Sequence, residues 1–274
     1  MTLKKLSCSV LMCVYRGDKA NFFREAVDSI LNQTVKPDEV VIVVDGPVGG
    51  RMTKVLSEVK QKYKQVKVIQ LPKNVGVGPA SNEGLKRCRN ELIAKMDADD
   101  IAVPERLELQ LTEFLKDAKL TLLGGQLAEF SGHKENIVSY RRVPTSGAEI
   151  RKFARKRSPF NNQTVMYKKS DALAVGGYPD LNRAEDYYLY SKLIAEEYKV
   201  KNLSEVLVLF RLDDEAIGRR KTWRHTREII RARNEIRKLG VSSWFDLIIT
   251  TMGQLLVFVT PSFFAKWVYG RLRK

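Results

Sequence analysis

The segment Glu91–Asp100 reads ELIAKMDADD, an apolar run of strand length that ends in three carboxylates. Alternate residues of a strand face the same side, so Asp97 and Asp99 should share one face. Because burying unpaired carboxylates is costly, we expect this acidic cluster at an exposed strand end. Carboxylates in such an open position are typical ligands of Mg²⁺ or Mn²⁺. A lone Asp-x-Asp is also compatible with an acidic loop before a helix near Pro104, so the rest of the chain has to decide.

Strand and helix patterns alternate along the first hundred residues. Ser9–Tyr15 and Glu39–Asp45 are continuous apolar runs, typical of strands covered on both faces. Other strands are predicted at 66–71 and 91–96, and helices at 21–32, 51–64 and 79–89. This alternation predicts an α/β fold with a mainly parallel, Rossmann-like sheet flanked by helices. Such sheets bind ligands at the carboxyl ends of their strands, where Asp45 and Asp97 both fall.

The chain continues without an internal repeat or a low-complexity linker. A helix is expected from Pro104, a strand over Leu120–Phe130 and another over Leu203–Arg211. We therefore predict one large domain over 1–215, followed by a region of different character over 216–274.

The region 216–274 is basic and amphipathic. Its first predicted helix carries arginines at helical spacing, Arg220, Arg224, Arg227 and Arg231. Gly240 should end that helix. A second helix then presents an apolar face of Phe245, Ile248, Ile249, Met252, Leu255, Leu256 and Val259. Asp246 and Gly253 argue against a membrane-spanning segment, so we expect an interfacial surface that contacts an anionic membrane. Packing on the domain's own core, or on a second subunit, is the alternative.

The charge balance points to an anionic partner. The 274 residues carry a formal net charge of +16, which suits nucleic acid, nucleotide phosphates or an anionic membrane. Since no nucleic-acid-binding motif accompanies the charge, nucleic acid is not the expected partner.

Cys8, Cys13 and Cys88 lack metal-ligand spacing and should be reduced thiols, which favours the cytosolic side of the membrane. The apolar run near residue 10 is better explained as a first strand than as a signal peptide.

A glycine-containing loop precedes the third predicted helix. It runs from Asn74 to Gly84, and Gly76, Gly78 and Ser81 resemble an incomplete dinucleotide-binding fingerprint. Asp97 would then stand where a ribose-binding acid is expected, so an NAD-dependent Rossmann oxidoreductase is one reading of the chain. A third glycine is missing from this pattern, and one ribose carboxylate does not require three.

An ordered set of short motifs resembles the family 2 glycosyltransferases of the GT-A fold, especially bacterial enzymes of capsule, exopolysaccharide and O-antigen assembly. The matching segments, in chain order, are SVLMCVY at 9–15, Asn32-Gln33-Thr34, Val43-Val44-Asp45-Gly46, Asn74-x-Gly76 to Asn82-x-Gly84, Asp97-Ala98-Asp99-Asp100 and Glu185-Asp186-Tyr187. The resemblance covers about 7–215. It implies a nucleotide-sugar half over about 1–100 and an acceptor half over about 101–215.

The resemblance implies a donor site built from the first half. Val14 and Tyr15 would line the nucleotide pocket, and Asp45 would accept a hydrogen bond from the base. The loop residues Asn74, Gly76 and Asn82 would also face the donor.

The acidic motifs receive distinct roles from the resemblance. Asp99 would be the direct ligand of Mn²⁺ or Mg²⁺, and Asp97 would meet the ribose or metal-bound water. Asp186 would be the general base that deprotonates the acceptor hydroxyl, with inversion at the anomeric carbon. Glu185 would support Asp186 or touch the acceptor, although an acidic residue at a helix N-terminus also has a purely structural explanation.

Two positions depart from the family pattern or extend it. Related sequences often carry a histidine where this chain has Asn161 and Asn162, which can hydrogen-bond sugar hydroxyls but put metal or proton-transfer work there in doubt. Arg219 and Arg220 follow the last predicted strand and would help to clamp the diphosphate, or else form a solvated basic face.

The expected activity is therefore metal-dependent, inverting transfer of a hexose from a nucleotide sugar, a UDP-sugar by preference. The acceptor would be a lipid-linked or growing cell-surface glycan, and the enzyme would attach peripherally to the inner face of the cell membrane. The alternatives are the oxidoreductase and a non-enzymatic basic protein associated with the membrane. The oligomeric state and the identity of the sugars are not encoded in these patterns.

Overall fold

The computed structural model describes residues 6–212 and 222–259, which form one nine-stranded sheet with helices around it. The strands are β1 Cys8–Val14, β2 Glu39–Val44, β3 Val66–Gln70, β4 Leu92–Met96, β5 Ile101–Ala102, β6 Leu120–Phe130, β7 Ile137–Arg141, β8 Met166–Lys168 and β9 Lys199–Arg211. The helices are α1 Ala20–Leu31, α2 Gly50–Lys62, α3 Val77–Arg87, α4 Arg106–Lys116, α5 Gly147–Ala154, α6 Lys169–Ala174, α7 Glu185–Ala195, α8 Trp223–Lys238 and α9 Trp244–Val259, with a 3₁₀ turn at Asn162–Thr164.

The first half of the sheet is parallel, in the order β3-β2-β1-β4. All six residues of β2 are buried, as expected of a strand covered on both faces. In the register, Val14 pairs with Val44 and Met12 with Met96. The three strands therefore end close together, and the residues after β1, β2 and β4 reach the same edge of the sheet.

The second half of the sheet is mixed. Strand β8 runs antiparallel to both β4 and β6, β5 runs antiparallel to β9, and β7 pairs antiparallel with β6. The parallel pairing of β6 with β9 extends over most of both strands. Strands β5 and β8 are only two and three residues long, too short for a periodic sequence signal. The α/β fold with a mixed sheet, flanking helices and a helical C-terminal part confirms the predicted class.

Helices cover both faces of the sheet. One core cluster joins α1, α2 and α4 to the sheet, and the other joins α3, α5 and α7 to its opposite face. Helix α3 packs especially close, since a Cβ on Gly84 would lie 2.3 Å from the Leu11 Cδ1 atom. The three cysteines are free thiols, in agreement with the reduced state that their spacing suggested.

Two helix starts differ from the sequence prediction by two residues. Pro104 was expected to open a helix, but α4 begins at Arg106 with Glu105 as its N-cap residue. Pro79 was expected as the first residue of α3, which instead begins at Val77 after Gly76, whose φ is +93°. The positive φ ends the loop before the proline is reached, so the helix gains one more half turn.

The C-terminal helices form an antiparallel pair that packs on the domain. Gly240, with φ +80°, follows α8 as predicted. Helix α9 opens with a reciprocal cap, because Ser243 Oγ accepts from the Asp246 amide and Asp246 Oδ2 accepts from the Ser243 amide. Asp246 Oδ2 also accepts from Arg155 Nε and Nη2 at 3.0 and 2.9 Å, which ties α9 to the end of α5. In the part of the chain that is described, every helix is too short or too polar to span a bilayer.

Arg211, the last residue of β9, holds the acidic loop that follows β4. Its Nε donates to the Asp99 carbonyl at 3.0 Å, and its backbone amide donates to Asp100 Oδ1 at 2.9 Å. The guanidinium lies 4.0 Å from the ring centroid of Phe22 and 4.7 Å from that of Phe130. Asp100 is fully buried and therefore shapes the loop, unlike the exposed cluster expected from sequence.

We predict that Arg211→Met lowers the free energy of unfolding by about 2–3 kcal/mol, because it removes charge-assisted hydrogen bonds and the stacked cation. Urea unfolding monitored by circular dichroism provides the measurement. Lys201→Met is the matched control on the same strand, since its exposed ion pair with Glu113 should contribute no more than about 1 kcal/mol. Equal losses in the two variants would contradict the anchoring role of Arg211.

Candidate active site

A cavity of about 800 Å³ lies at the edge of the sheet where β1, β2 and β4 end. It brings together most of the site residues expected from sequence, Val14, Tyr15, Asp45, Asn74, Gly76, Asp97, Asp99, Asn162 and Glu185. Because adjacent parallel strands end at the same edge of the sheet, residues that are tens of positions apart in the chain reach the same wall of the cavity.

Asp45 organises the loop between β3 and α3. Its Oδ1 accepts from the Val75 amide at 2.7 Å, and its Oδ2 accepts from the Gly76 amide at 3.1 Å and from Asn74 Nδ2 at 2.9 Å. The Asp45 side chain is nearly buried but still contributes to the cavity wall. The loop that resembled a dinucleotide fingerprint is thus held against the end of β2.

Three carboxylates, Asp18, Asp97 and Asp99, lie close enough at the floor of the cavity to repel one another. Burial raises the pKa of Asp97 to about 6, with Lys95 opposing the shift and Asp99 adding to it. Burial also raises the pKa of Asp18 to about 7, helped by Asp99 and Asp97. Asp18 is kept in place by the Tyr15 amide, which donates to its Oδ2 at 2.9 Å. A cation at this floor would relieve the mutual repulsion of the carboxylates.

These residues fit a divalent cation of the kind that substrate phosphates help to hold. Within 6–212 and 222–259, no three acidic, histidine or cysteine side chains form a ready-made metal cage. Mg²⁺ and similar ions are commonly bound by one or two carboxylates, with phosphates and water completing the shell. Asp97 and Asp99 supply such a partial set, and Asn162 Nδ2 donates to Asp97 Oδ1 at 3.4 Å.

Glu185 and Asp186 open α7, where the structure confirms the predicted helix start. The preceding residue, Ala184, has a left-handed φ of +58°, which is unusual for a residue with a side chain. Burial raises the pKa of Glu185 to about 7, and Asp186 contributes to the shift. Burial also raises the pKa of Asp186, opposed by hydrogen bonding to the Tyr187 amide. Glu185 lines the cavity, whereas Asp186 is half-buried and is not one of the wall residues.

Two of the three predicted asparagines bind backbone groups instead of lining the cavity, and the third lines it. Asn82 binds the backbone of Tyr178 with both polar atoms and is not part of the cavity wall. Asn161 is fully buried, donates to the carbonyls of Gly125 and Arg141, and does not reach the cavity. Both residues thus lie where contact with a substrate in this cavity requires rearrangement. Asn162 is at the wall, where its Oδ1 accepts from Tyr190 at 2.7 Å.

The predicted clamp residues Arg219 and Arg220 lie outside the described residues. The start of α8, immediately after them, does contribute to the cavity. Thus part of the region 216–274 belongs to the site, although the sequence boundary at 215 separated the two.

Sequence reasoning missed several wall residues, Cys13, Arg16, Asp18, Val77, Ala98, Asn182, Arg183, Thr222, Arg224, His225 and Glu228. Arg16 and Asp18 follow the first strand, so their position at the functional edge could have been noticed. Arg224 belonged to the arginine stripe that the sequence did reveal. Cys13, Val77 and Ala98 lie inside motifs that the sequence did reveal. The remaining residues are brought to the wall by tertiary packing, and no local pattern marks them.

Comparison with known proteins shows the family of the chain. The family model described as Glycosyl transferase family 2 matches residues 9–173. One relative is the UDP-Gal:alpha-D-GlcNAc-diphosphoundecaprenol beta-1,3-galactosyltransferase of Escherichia coli, 33% identical over 264 residues, which are 96% of this chain and 95% of that protein.

Two solved structures share the fold. S. aureus TarS 1–349 in complex with UDP-GlcNAc aligns with a TM-score of 0.67 at 18% identity, covering 92% of this chain and 73% of that one. Mannosyltransferase PcManGT from Pyrobaculum calidifontis, in complex with GDP-Man and Mn²⁺, aligns with a TM-score of 0.61 at 15% identity, covering 97% of this chain and 84% of that one.

These matches exclude the oxidoreductase alternative, since a family model and a relative of nearly the same length agree with the ordered motifs. The glycine loop is accordingly not a dinucleotide fingerprint. The chain belongs to glycosyltransferase family 2 and is an enzyme of that family with the GT-A fold.

Proposed function

We propose that this enzyme transfers a hexose from a UDP-sugar to a lipid-linked glycan acceptor, with inversion at the anomeric carbon. The observation that carries the proposal is one cavity that joins Asp45, the acidic residues Asp97 and Asp99, and Glu185 at the start of α7, where Asp186 is the next residue. The E. coli relative, named for a UDP-sugar donor and a diphosphoundecaprenol acceptor, supports this choice of substrates.

The donor nucleotide would occupy the wall formed by the ends of β1 and β2. Tyr15 is 45% exposed there and offers an aromatic face for the base. Asp45 Oδ2 already accepts two hydrogen bonds from the loop, whereas Oδ1 accepts one from the Val75 amide and retains a lone pair for a donor group of the base. Asn74 and Gly76 would border the ribose and phosphates.

Asp99 would hold Mn²⁺ or Mg²⁺, with Asp97 beside it. When bound, the metal ion would neutralise charge on the departing nucleoside diphosphate. The mannosyltransferase with the same fold, solved with GDP-Man and Mn²⁺, supports this assignment.

Asp186 would act as the general base. The acceptor hydroxyl oxygen attacks the anomeric carbon and gives its proton to the Asp186 carboxylate, while the bond from that carbon to the diphosphate oxygen breaks and UDP leaves. Burial raises the pKa of Asp186, which makes its carboxylate a stronger base than an exposed aspartate. Glu185 lines the cavity beside it and would contact the acceptor.

The reaction class is tested by a panel of nucleotide sugars, with release of nucleoside diphosphate measured in Mn²⁺ and in Mg²⁺. We expect a UDP-sugar to be turned over and EDTA to abolish turnover. A wild-type chain that hydrolyses or transfers from none of the donors would contradict the proposal.

Two variants separate the roles of the carboxylates. Asp186→Asn should reduce transfer by roughly 10²–10⁴-fold, because the base is lost, while metal-dependent UDP binding measured by calorimetry persists. Asp99→Asn should abolish metal-dependent UDP binding itself. Asp180→Asn is the matched control, an exposed aspartate near α7 outside the cavity wall, and it should alter neither property. Loss of UDP binding in Asp186→Asn would remove this residue from its assigned role.

We also propose that α9 attaches the enzyme to the cytoplasmic face of the membrane. Its outer face exposes Trp244, Phe245, Ile248, Ile249, Met252, Leu256 and Val259, between 41% and 75% accessible. Its inner side packs on α8 through the Trp223–Phe258 ring contact and the bond from Arg233 to the Thr250 carbonyl.

Charge favours an anionic bilayer as the occupant of this apolar face. Arg237 stacks on Trp244, with 3.8 Å between the guanidinium carbon and the ring centroid. The sequence beyond α9, 260–274, contains four cationic and no acidic residues. An apolar stripe flanked by cations is typical of helices that lie in the membrane interface.

The attachment is tested with full-length protein and vesicles containing phosphatidylglycerol. The double variant Met252→Glu, Leu256→Glu should bind the vesicles at least about tenfold more weakly, because two apolar side chains can no longer be buried. Leu115→Glu, Leu173→Glu is the control for exposed apolar residues on other helices. Unchanged sedimentation would refute the membrane contact. A shift in size-exclusion elution on substitution, without an effect on vesicle binding, would assign the face to a second copy of the chain.

A further inference from the structure

The cavity has a second wall whose chemistry is opposite to that of the acidic floor. Arg183 comes from the loop before α7, and Arg224 from the first turn of α8. The mechanism described above uses neither residue. Both side chains are open to solvent, 51% and 79% exposed, so a substrate in the cavity can reach them.

Glu228, one turn further along α8, anchors both arginines. Its Oε1 lies 3.3 Å from Arg224 Nε, and its Oε2 lies 4.0 Å from Arg183 Nε. Asn182 Nδ2 also donates to Glu228 Oε1, at 3.1 Å. The Glu228 side chain is only 17% exposed, so this anchor sits behind the arginines.

The anchoring geometry leaves binding capacity for an anion. Glu228 engages the Nε edge of each guanidinium, and within the described residues the Nη groups of Arg183 and Arg224 have no hydrogen-bond partner. Two arginines against one carboxylate also leave a net positive charge. The Nη groups of arginine match the oxygens of a phosphate, which they bind in a bidentate manner.

The local backbone directs Arg183 relative to the proposed base. Ala184 separates Arg183 from Glu185, and its left-handed conformation is a strained one for alanine. Strain of this kind is retained where a particular geometry is required. It turns the chain between the arginine and the two carboxylates, so that one short segment presents Arg183 and Glu185 to the same cavity, with Asp186 directly after them.

We propose that Arg183 and Arg224, anchored by Glu228, form a subsite for the phosphate of a sugar-diphosphate acceptor. The inference rests on the proposed function and adds to it the part of the acceptor that is recognised. At the acidic floor, a phosphate needs a metal ion to offset Asp97 and Asp99. At the arginine wall it needs none, so the two diphosphates of the reaction have separate and chemically distinct sites. An acceptor whose hydroxyl meets Asp186 then has its phosphate beside Arg183, on the same side of the cavity.

The first test measures binding of inorganic diphosphate by calorimetry in EDTA, where no metal ion can assist. The wild type should bind it, and Arg183→Ala, Arg224→Ala should bind at least about tenfold more weakly, as loss of charge-assisted hydrogen bonds implies. Affinity for UDP with Mn²⁺ should be unchanged. Arg227→Ala, an exposed arginine of α8 outside the cavity wall, is the control and should behave as wild type.

The second test uses two acceptors that differ only in the phosphates, N-acetylglucosaminyl diphosphate with an alkyl chain and the alkyl glycoside of N-acetylglucosamine. The double variant should raise KM for the diphosphate acceptor by about tenfold and leave kcat/KM for the phosphate-free glycoside unchanged. Glu228→Gln should shift the same KM in the same direction, since it releases both arginines.

Three results would overturn the subsite. Equal weakening of UDP binding would assign the arginines to the donor. An equal loss of activity of the double variant on both acceptors would show that the two arginines have a purely structural role. Binding of diphosphate in EDTA by the double variant with wild-type affinity would show the same. If the wild type transfers no sugar but the EDTA binding result holds, the proposed function fails while the anion subsite stands.

Discussion

The repulsion among carboxylates gathered at one edge of the sheet is the constraint on which the rest of the structure depends. Asp100 is fully buried and Asp97 is half-buried next to Asp99, and desolvation raises the pKa of both Asp97 and Asp100. Two buried cations, Lys95 and Arg106, offset part of the rise in the pKa of Asp97. Lys95 is 2% exposed, and Arg106 is fully buried with its Nη2 donating to the Lys95 carbonyl at 2.6 Å. The acidic floor is therefore built on a cationic layer, which lets carboxylates remain close together before any substrate arrives.

The loops around this floor are fastened from several directions. Arg211 binds the chain at Asp99 and Asp100 from the end of β9, and Asp45 binds the loop at 74–76 from the end of β2. In both places a charged side chain holds backbone groups that no helix or strand satisfies. Preorganisation of this kind keeps these loops in position without a bound ligand.

The C-terminal helix pair links the cavity to the proposed membrane contact. The first turn of α8 contributes Arg224 to the cavity, and α9 carries the exposed apolar face on the outside of the same pair. With the lipid-linked acceptor proposed above, the enzyme would have to bring its cavity to the bilayer surface. A helix pair that touches both the cavity and the proposed membrane contact connects these requirements through packing alone.

The amino-acid sequence by itself determined the parallel half of the sheet, the edge at which Asp45 and Asp97 lie, the helix start at Glu185 and the family. Each of these depends on local periodicity or on a contiguous motif, which a single strand or helix is enough to express. Only the tertiary structure decided that Asn82 and Asn161 bind backbone, that Asp100 is buried beneath Arg211, and that Arg183 meets Glu228 of α8. The physical reason is that these are contacts between elements far apart in the chain, and the short strands β5 and β8 that help to bring the elements together are too brief to leave a periodic signal.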